Sequence, residues 1–141
     1  MRILSLDVGE KKIGIAISDA LGITAQPLQT IRRDGQNSYL RLLQAVIAEK
    51  NVTKVIVGLP LNMNGTEGRV ARGIYEFVDR LRENVSVPVQ LWDERLTTME
   101  AERILLQADV SRKRRKKADD AIAAQLILQS YLNSHRSDEG R

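Results

Sequence analysis

The chain has 141 residues, of which 43% are hydrophobic and 28% charged, a composition that excludes a disordered or fibrous protein and suits one globular domain. It has no cysteine and a single histidine, His135, which excludes disulfides and zinc sites built from thiolates or several histidines. No apolar stretch reaches the roughly 20 residues that cross a bilayer, and the first residues lack the pattern of a signal peptide, so we expect a cytoplasmic protein with no membrane partner.

The first third of the chain is predicted to form three antiparallel strands. Residues 3–6 are an apolar run that ends at Asp7, and residues 13–17 alternate isoleucine with glycine and alanine after a tight turn. Residues 25–31 predict a third strand, in which Pro27 favours a position near a sheet edge or a strand end.

In the middle of the chain, helices are predicted to alternate with strands. Apolar residues recur at helical spacing over residues 39–47, and the β-branched run KVIVG at 54–58 is typical of a buried central strand. Asn64 and Glu67 have the spacing of a capping box, which predicts the start of a second helix. The apolar face of that helix consists of Val70, Ile74, Phe77, Val78 and Leu81.

The last third is predicted to contain one strand and two helices. The run VPVQLW at 87–92 predicts a strand that stops at Asp93, and Thr97 with Glu100 forms another capping-box pattern before a helix that includes Ile104 and Leu105. A closing helix is predicted over residues 118–132, and the polar tail from about residue 134 to residue 141 is expected to fray. One side of the closing helix is formed by Ala123, Leu126, Ile127, Ser130 and Tyr131.

This order of elements predicts a single α/β domain over residues 1–141. We expect a five-stranded mixed sheet. Its first three strands follow one another directly and are predicted to be antiparallel, whereas the later strands alternate with helices. The same alternation places helices on both faces of the sheet.

Acidic residues stand where predicted strands end and where the closing helix begins. Asp7 follows the first strand, Asp93 and Glu94 follow the last, and Asp119 and Asp120 begin the closing helix. If the first and fourth strands are neighbours, these positions converge at one sheet edge, where clustered carboxylates need a divalent cation or shared protons. Since only oxygen ligands are at hand, the cation predicted is Mg²⁺ or Mn²⁺.

The acidic residues also have structural interpretations. Asp93 and Glu94 could be solvated charges at a strand exit, and Asp119 or Asp120 could serve only the dipole of the closing helix. Asp7 is harder to explain in this way, because it follows the apolar run ILSL at a point where an ionised side chain is expensive.

Two features predict contact with phosphates. Residues 7–14 read DVGEKKIG, in which glycines let the backbone approach a phosphate and Lys11 supplies charge. Actin-like and sugar-kinase ATPases have a similar loop, but they clasp ATP between two such domains and this chain has the length of one. The basic run at 112–117 accounts for the net charge of +4, since the other residues are 16 basic and 18 acidic, and it is either a polyanion contact or a solvated loop.

Four stretches of this sequence together resemble the YqgF (RuvX) family. They are DVGEKKIG at 7–14, VGLPLNMNGT at 57–66, LWDERLTT at 91–98, and KKADD at 116–120 with the following LQSY at 128–131. The resemblance implies a ribonuclease-H-like fold, related to the bacterial Holliday junction resolvases, and a nuclease that acts at the 5′ end of pre-16S ribosomal RNA.

The resemblance also implies a catalytic site. Asp7 is the first-strand acid, Glu94 or its neighbour Asp93 is the second, and Asp120 is the acid of the closing helix, with Asp119 as its alternative. In that mechanism two Mg²⁺ ions held by these carboxylates activate a water and stabilise the departing 3′-oxygen.

Substrate contacts are predicted from charge and hydrogen-bonding capacity. Basic residues would bind flanking phosphates, asparagines would bind sugar or backbone, and the 4% of aromatic residues offer few platforms for base stacking. Glu10 stands where the family more often has Thr, and its carboxylate either perturbs metal affinity or lies outside the metal shell. The side chains predicted to contact the substrate are Lys11, Asn62, Asn64, Arg95, Arg114, Arg115, Lys116 and Lys117.

The function predicted from these features is metal-dependent endonucleolytic processing of the 5′ end of pre-16S ribosomal RNA, by a monomer or a homodimer acting on structured nucleic acid. One alternative is a Holliday junction resolvase with the same metal site, which would act as a dimer on branched DNA. The other alternative is a binding factor in ribosome maturation or transcription whose acidic site is weak or vestigial.

Overall fold

The computed structural model describes residues 2–34, 37–60, 68–95 and 120–139 of the chain. The strands within these ranges are β1 (Arg2–Val8), β2 (Lys12–Ser18), β3 (Ala25–Arg32), β4 (Val52–Leu59) and β5 (Val89–Asp93). The helices are α1 (Ser38–Glu49), α2 (Arg69–Asn84) and α3 (Asp120–Glu139).

The strands form one sheet in the order β3-β2-β1-β4-β5. β2 pairs antiparallel with both β1 and β3, whereas β4 pairs parallel with both β1 and β5. The five-stranded mixed sheet with three antiparallel strands is therefore confirmed, as is the pairing of the first strand with the fourth. Because β1, β4 and β5 are parallel, their carboxyl ends lie at the same edge of the sheet.

One face of the sheet holds the larger core. The even-numbered residues of β1, Leu4, Leu6 and Val8, point to this face, which α1 and α2 cover. β-branched and leucine side chains from all five strands fill it, because each strand places every second residue on the same side. Among its fully buried members are Leu4, Leu6, Ile13, Ile15, Val55, Val57 and Leu81.

The opposite face is covered by α3, so helices lie on both faces as predicted. α3 crosses β1, β2 and β3, and polar contacts fix it to β1 and β3. The buried hydroxyl of Ser5 donates a hydrogen bond to the carbonyl oxygen of Ala124 at 2.6 Å. The backbone N–H of Ala25 donates to Oε1 of Gln129 at 2.9 Å. These contacts determine which end of α3 lies over the carboxyl edge of the sheet.

The boundaries and faces of the helices differ in part from the sequence prediction. Val70 is 61% exposed because Ala71, one residue later, contacts the sheet, and successive helical residues are turned by about 100°. α2 begins at Arg69 with Gly68 at its N-cap, and the predicted capping box at 64–67 lies outside the described residues.

α3 also departs from the prediction at its end and on its buried face. It continues to Glu139, beyond the predicted end at residue 132. Its buried stripe includes Ala121, Ala124 and Leu128, whereas Ala123 and Leu126 flank this stripe and are half-buried. The predicted helix with Ile104 and Leu105 lies outside the described residues. Within the described ranges, no helix combines the length and apolar character needed to span a membrane.

Candidate active site

Asp7 lies near the carboxyl end of the central strand, on the face that α3 covers. Ser5, two residues earlier, already contacts α3, and side chains alternate along a strand, so Asp7 points to the same face. Its partner in β2 is Gly14. A Cβ atom at Gly14 would collide with the backbone carbonyl of Asp120, so this glycine lets the first residue of α3 lie directly on the sheet beside Asp7.

Glu94, which follows β5, lies near Asp7 on the same face of the sheet. Trp92 faces α3, where its Nε1 donates to the hydroxyl of Ser130 at 3.3 Å, and Glu94 follows two residues later. A Cβ atom at Gly58 of β4 would lie 2.5 Å from Oε1 of Glu94 and 2.7 Å from Cδ1 of Ile127. The carboxylate of Glu94 therefore occupies the space that the absent side chain of Gly58 leaves open.

The register of the parallel strands places this carboxylate next to Asp7. Leu6 of β1 pairs with Val57 of β4, so Asp7 and Gly58 follow one residue later on adjoining strands. Asp7 thus lies near Glu94 at the carboxyl edge of β1 and β4 and near Asp120 at the start of α3. Of the residues predicted to be catalytic, these are the ones that the structure brings together.

The electrostatics of the site reflect this proximity. Burial and, to a smaller extent, the negative charge of Asp120 together raise the pKa of Asp7 from 3.8 to about 6. Burial also raises the pKa of Glu94 from 4.5 to about 7, with additional contributions from Asp7 and then Asp93. Both carboxyl groups therefore lie where a nearby cation would stabilise the ionised form.

Asp93, the alternative to Glu94, is bound to Arg95 instead. The Arg95 guanidinium donates from Nη2 to Oδ2 of Asp93 at 2.7 Å and from Nε at 3.0 Å, and the Arg95 backbone N–H donates to Oδ1 at 2.9 Å. These hydrogen bonds hold the pKa of Asp93 below its usual value. Asp93 thus orients Arg95, while Glu94 lies at the acidic site.

The other predicted site residues fall into two groups. Lys11 is exposed in the turn between β1 and β2, next to the exposed Glu10. The remaining ones lie outside the described residues: Asn62, Asn64, Arg114, Arg115, Lys116, Lys117 and Asp119.

Arg33 is a residue of this region that the sequence did not single out. Its backbone N–H donates to the carbonyl of Lys11 at 2.8 Å, and its Nη1 donates to the carbonyl of Gly9 at 3.1 Å. The guanidinium also lies 5.9 Å from the ring centroid of Tyr39 and 5.4 Å from that of Phe77. Arg33 therefore fixes the turn that follows Asp7, and a basic residue after a strand gives no local signal of that role.

The donor chemistry of the site fits a hard divalent cation. Carboxylate oxygens are the ligands that Mg²⁺ and Mn²⁺ prefer, and the space beside Gly58 already admits the Glu94 carboxylate. In the described part of the chain, no three His, Cys, Asp or Glu side chains lie close enough to hold one ion together. Asp7 is close to each of the other two acids, because the charge of Asp120 raises the pKa of Asp7 and the charge of Asp7 raises the pKa of Glu94.

Solved structures with the same arrangement of elements define the fold class. The structure described as "T. thermophilus RuvC in complex with Holliday junction substrate" has a TM-score of 0.65 at 13% identity, covering 97% of this chain and 96% of that chain. The fowlpox virus Holliday junction resolvase has a TM-score of 0.52 at 20% identity, covering 95% of this chain and 99% of that chain. The fold is therefore the ribonuclease-H-like fold.

Sequence comparisons then give the family. The family described as "RuvX: Holliday junction resolvase" matches residues 1–134. A protein of Desulforamulus reducens is 49% identical over 95% of this chain and 98% of its own length, and one of Geobacillus kaustophilus is 54% identical over 96% of this chain and 100% of its own. Both carry the name "Putative pre-16S rRNA nuclease". The chain belongs to the RuvX family.

Proposed function

We propose that this chain is a cytoplasmic, Mg²⁺- or Mn²⁺-dependent endonuclease that processes the 5′ end of pre-16S ribosomal RNA. The observation that carries the proposal is the approach of Glu94, which follows β5, to Asp7 of β1 across Gly58 of the intervening strand β4, with Asp120 on the other side of Asp7. The pKa values of Asp7 and Glu94 are raised to about 6 and about 7. Membership of the RuvX family and the shared name of its relatives support the substrate.

The bound cation would supply a water of lowered pKa and neutralise the negative charge that develops on the phosphate during cleavage. Asp7 would hold such a cation together with Glu94 on one side or with Asp120 on the other. Their ionised forms must predominate for that purpose, so the cation and the carboxylates stabilise each other. His135, the single histidine, is not needed as a base, and its Nδ1 lies 2.9 Å from the carbonyl oxygen of Tyr131 in α3, to which it donates a hydrogen bond when protonated.

The protein itself contributes the position of these groups. Gly14 allows close approach of α3, and Gly58 allows Glu94 to reach over the sheet. The N-terminus of α3 adds a partial positive charge at the place where a phosphate would lie. Arg95 is held by Asp93 and would bind a flanking phosphate.

Holliday junction resolution is the second candidate function. The fold similarity to RuvC, which extends over 97% of this chain, favours it, as does the description of the family. A resolvase would need two copies of the site to cut a two-fold symmetric junction, whereas RNA trimming needs one.

A cleavage assay with two substrates tests the proposal. A precursor RNA that extends past the mature 5′ end of 16S rRNA and a four-way DNA junction are each incubated with Mg²⁺, Mn²⁺ or EDTA. We expect metal-dependent cleavage of the RNA, and a loss of roughly a thousandfold or more in Asp7→Asn, because the metal contributes several kcal/mol and each 1.36 kcal/mol is tenfold in rate.

The outcomes separate the candidates. Cleavage of the junction alone would replace the RNA proposal by junction resolution. Cleavage in EDTA, or full activity of a folded Asp7→Asn variant, would contradict the metal-dependent mechanism. Circular dichroism of the variant establishes that it is folded, and an Asp79→Asn variant, changed at an exposed aspartate of α2, is the control for loss of one carboxylate.

A further inference from the structure

Basic side chains line a cleft at the end of β2 and β3. The cleft has a volume of about 360 Å³ and is lined by Lys11, Lys12, Arg32, Arg33 and Asp34. We call it the β2–β3 basic cleft. Asp34 is its single acidic residue, and its carboxylate accepts hydrogen bonds from the hydroxyl and the backbone N–H of Ser38 at the start of α1.

Two of the cations are directly opposed. Lys12 pairs with Arg32 in the antiparallel register of β2 and β3, so the two side chains project from the same face of the sheet. Both are exposed, and neither takes part in an ion pair within the described ranges. Like charges directly opposite each other destabilise a sheet, so this pair is unfavourable until an anion lies between the two side chains.

The β2–β3 basic cleft is close to the acidic site, and its Lys12 and Arg32 side chains project from the same face of the sheet as Asp7. Gly14, which pairs with Asp7, is two residues from Lys12, a distance of about 7 Å along a strand. Alternation along β2 gives Lys12 the orientation of Gly14, toward the side where Asp7 and α3 lie. Arg33, fixed by the carbonyl of Gly9 and by two aromatic rings, forms a rigid wall of the cleft.

We propose that the β2–β3 basic cleft binds the phosphodiester backbone of the substrate strand next to the phosphate that is cleaved. Lys12 and Arg32 form the contact, and they are additional to Lys11, Arg95 and the basic run. The cleft lacks an aromatic lining residue on which a base could stack, so its contact is with phosphates and independent of base sequence. The proposal rests on the proposed nuclease function for the identity of its ligand.

The opposite end of the sheet offers a matched control. A cleft there is lined by Arg2, Ala20, Glu49, Lys50 and Asn51. Replacing Arg2 and Lys50 by Gln removes the same two positive charges as replacing Lys12 and Arg32 by Gln. A difference between these two double variants therefore reports on position and not on net charge.

The test measures RNA binding without cleavage. All variants carry Asp7→Asn and are titrated in EDTA with the fluorescein-labelled precursor RNA at several KCl concentrations. Removal of one phosphate contact should lower the slope of log affinity against log salt by about 0.7 for a single strand. We expect Lys12→Gln/Arg32→Gln to lower the slope by about 1.4 and to weaken binding on the order of tenfold near 0.1 M salt. Arg2→Gln/Lys50→Gln should keep the parent slope.

A charge-retaining variant guards against a folding artefact. Lys12→Arg/Arg32→Lys keeps both cations and should keep the parent slope, and thermal melting should show that the Gln variant is no less stable than the parent. The inference is overturned if the Lys12→Gln/Arg32→Gln slope equals that of the parent or that of the control variant.

The same titrations separate this inference from the proposed function. The four-way DNA junction is titrated in parallel, and a lowered slope for either nucleic acid supports a backbone contact. If the wild-type chain cleaves neither substrate while the slope falls only in the Lys12→Gln/Arg32→Gln variant, the nuclease proposal fails and the phosphate contact stands. If cleavage occurs and both slopes are unchanged, the contact fails and the nuclease proposal stands.

Discussion

The two faces of the sheet are built from different residue types. On the face covered by α1 and α2, β1 and β2 contribute leucine, valine and isoleucine, as in Leu4, Leu6 and Ile15, which are fully buried. On the face covered by α3, the same strands contribute Ser5 and Gly14 together with Asp7. The first face therefore supplies most of the apolar burial that stabilises the fold, and the second positions a helix and the acidic residues.

Small residues allow the face covered by α3 to position the helix and the acidic residues close to the sheet. With glycine at positions 14 and 58, the backbone of α3 and the side chain of Glu94 come closer to the sheet than any larger residue would permit. Hydrogen bonds such as that from Ser5 to Ala124 then fix the helix beside a smaller apolar cluster that includes Ile56, Ile127 and Leu128. The cost is a cluster of half-buried carboxylates whose mutual repulsion opposes folding until a cation binds.

On the α3 face, the largest difference in activity between substitutions of neighbouring residues is expected at Asp93 and Glu94, at the end of β5. Glu94→Gln should lower kcat at least roughly a hundredfold, because it removes a metal-binding charge worth several kcal/mol. Asp93→Asn should lower it less than about tenfold, since Asp93 acts through Arg95. Single-turnover cleavage of the precursor RNA measures both, and equal losses would contradict the assignment of Glu94 to the site.

The next prediction concerns the space beside Gly58 that the Glu94 carboxylate occupies. Gly58→Ala places a methyl group 2.5 Å from Oε1 of Glu94, which displaces the carboxylate. A misplacement of about 1 Å in an active site lowers the rate by up to about a hundredfold, and overpacking should reduce the free energy of unfolding by about 1–3 kcal/mol. Gly73→Ala is the control, because a Cβ atom there meets nothing within 4 Å.

That control should stabilise α2 by roughly 0.5–1 kcal/mol with unchanged kcat, since glycine within a helix is unfavourable relative to alanine. If Gly58→Ala also kept the wild-type kcat, the α3 face would be less tightly constrained than the close approach of Glu94 to Gly58 implies.

The α1 and α2 face should respond in stability and not in chemistry. Leu81→Ala removes a fully buried side chain of α2 and should lower the free energy of unfolding by about 2–5 kcal/mol. The kcat per folded molecule should be unchanged, because Leu81 is not part of the site. Urea unfolding and active-site titration measure the two quantities, with Leu21→Ala, at a residue 80% exposed, as the control. A fall in kcat per folded molecule would show that the faces are coupled.

The smallest effect concerns pH in the absence of metal. The folded pKa values of Asp7 and Glu94, about 6 and about 7, exceed the ordinary values of 3.8 and 4.5, so the native state holds protons that the unfolded chain releases. Stability should therefore fall as pH rises from about 4 to about 7. Melting temperatures in EDTA measure this decline, which we expect to be a few degrees and shallower in Asp7→Asn. A decline of equal steepness in Asp7→Asn would contradict a raised pKa at Asp7, and Asp79→Asn is the control.

Much of the fold was determined by local sequence pattern. Alternating isoleucines in β2 and the run KVIVG in β4 predicted strands because a pleated strand with one or two buried faces leaves that signature. Helix starts were less predictable: α2 begins at Arg69 after Gly68, which has no side chain to cap the helix, so the sequence carries no capping signal at that position.

The acidic residues of the site were also visible in the sequence, because a carboxylate after an apolar strand is conspicuous. Tertiary structure decided which of two adjacent acids faces Asp7: Arg95 binds Asp93, and the gap at Gly58 receives Glu94. The opposition of Lys12 and Arg32 was likewise invisible in the chain, where 20 positions separate them. The sequence determines the residue types of each strand and helix. Strand register and packing determine which charged side chains lie together, because they depend on contacts between residues far apart in the chain.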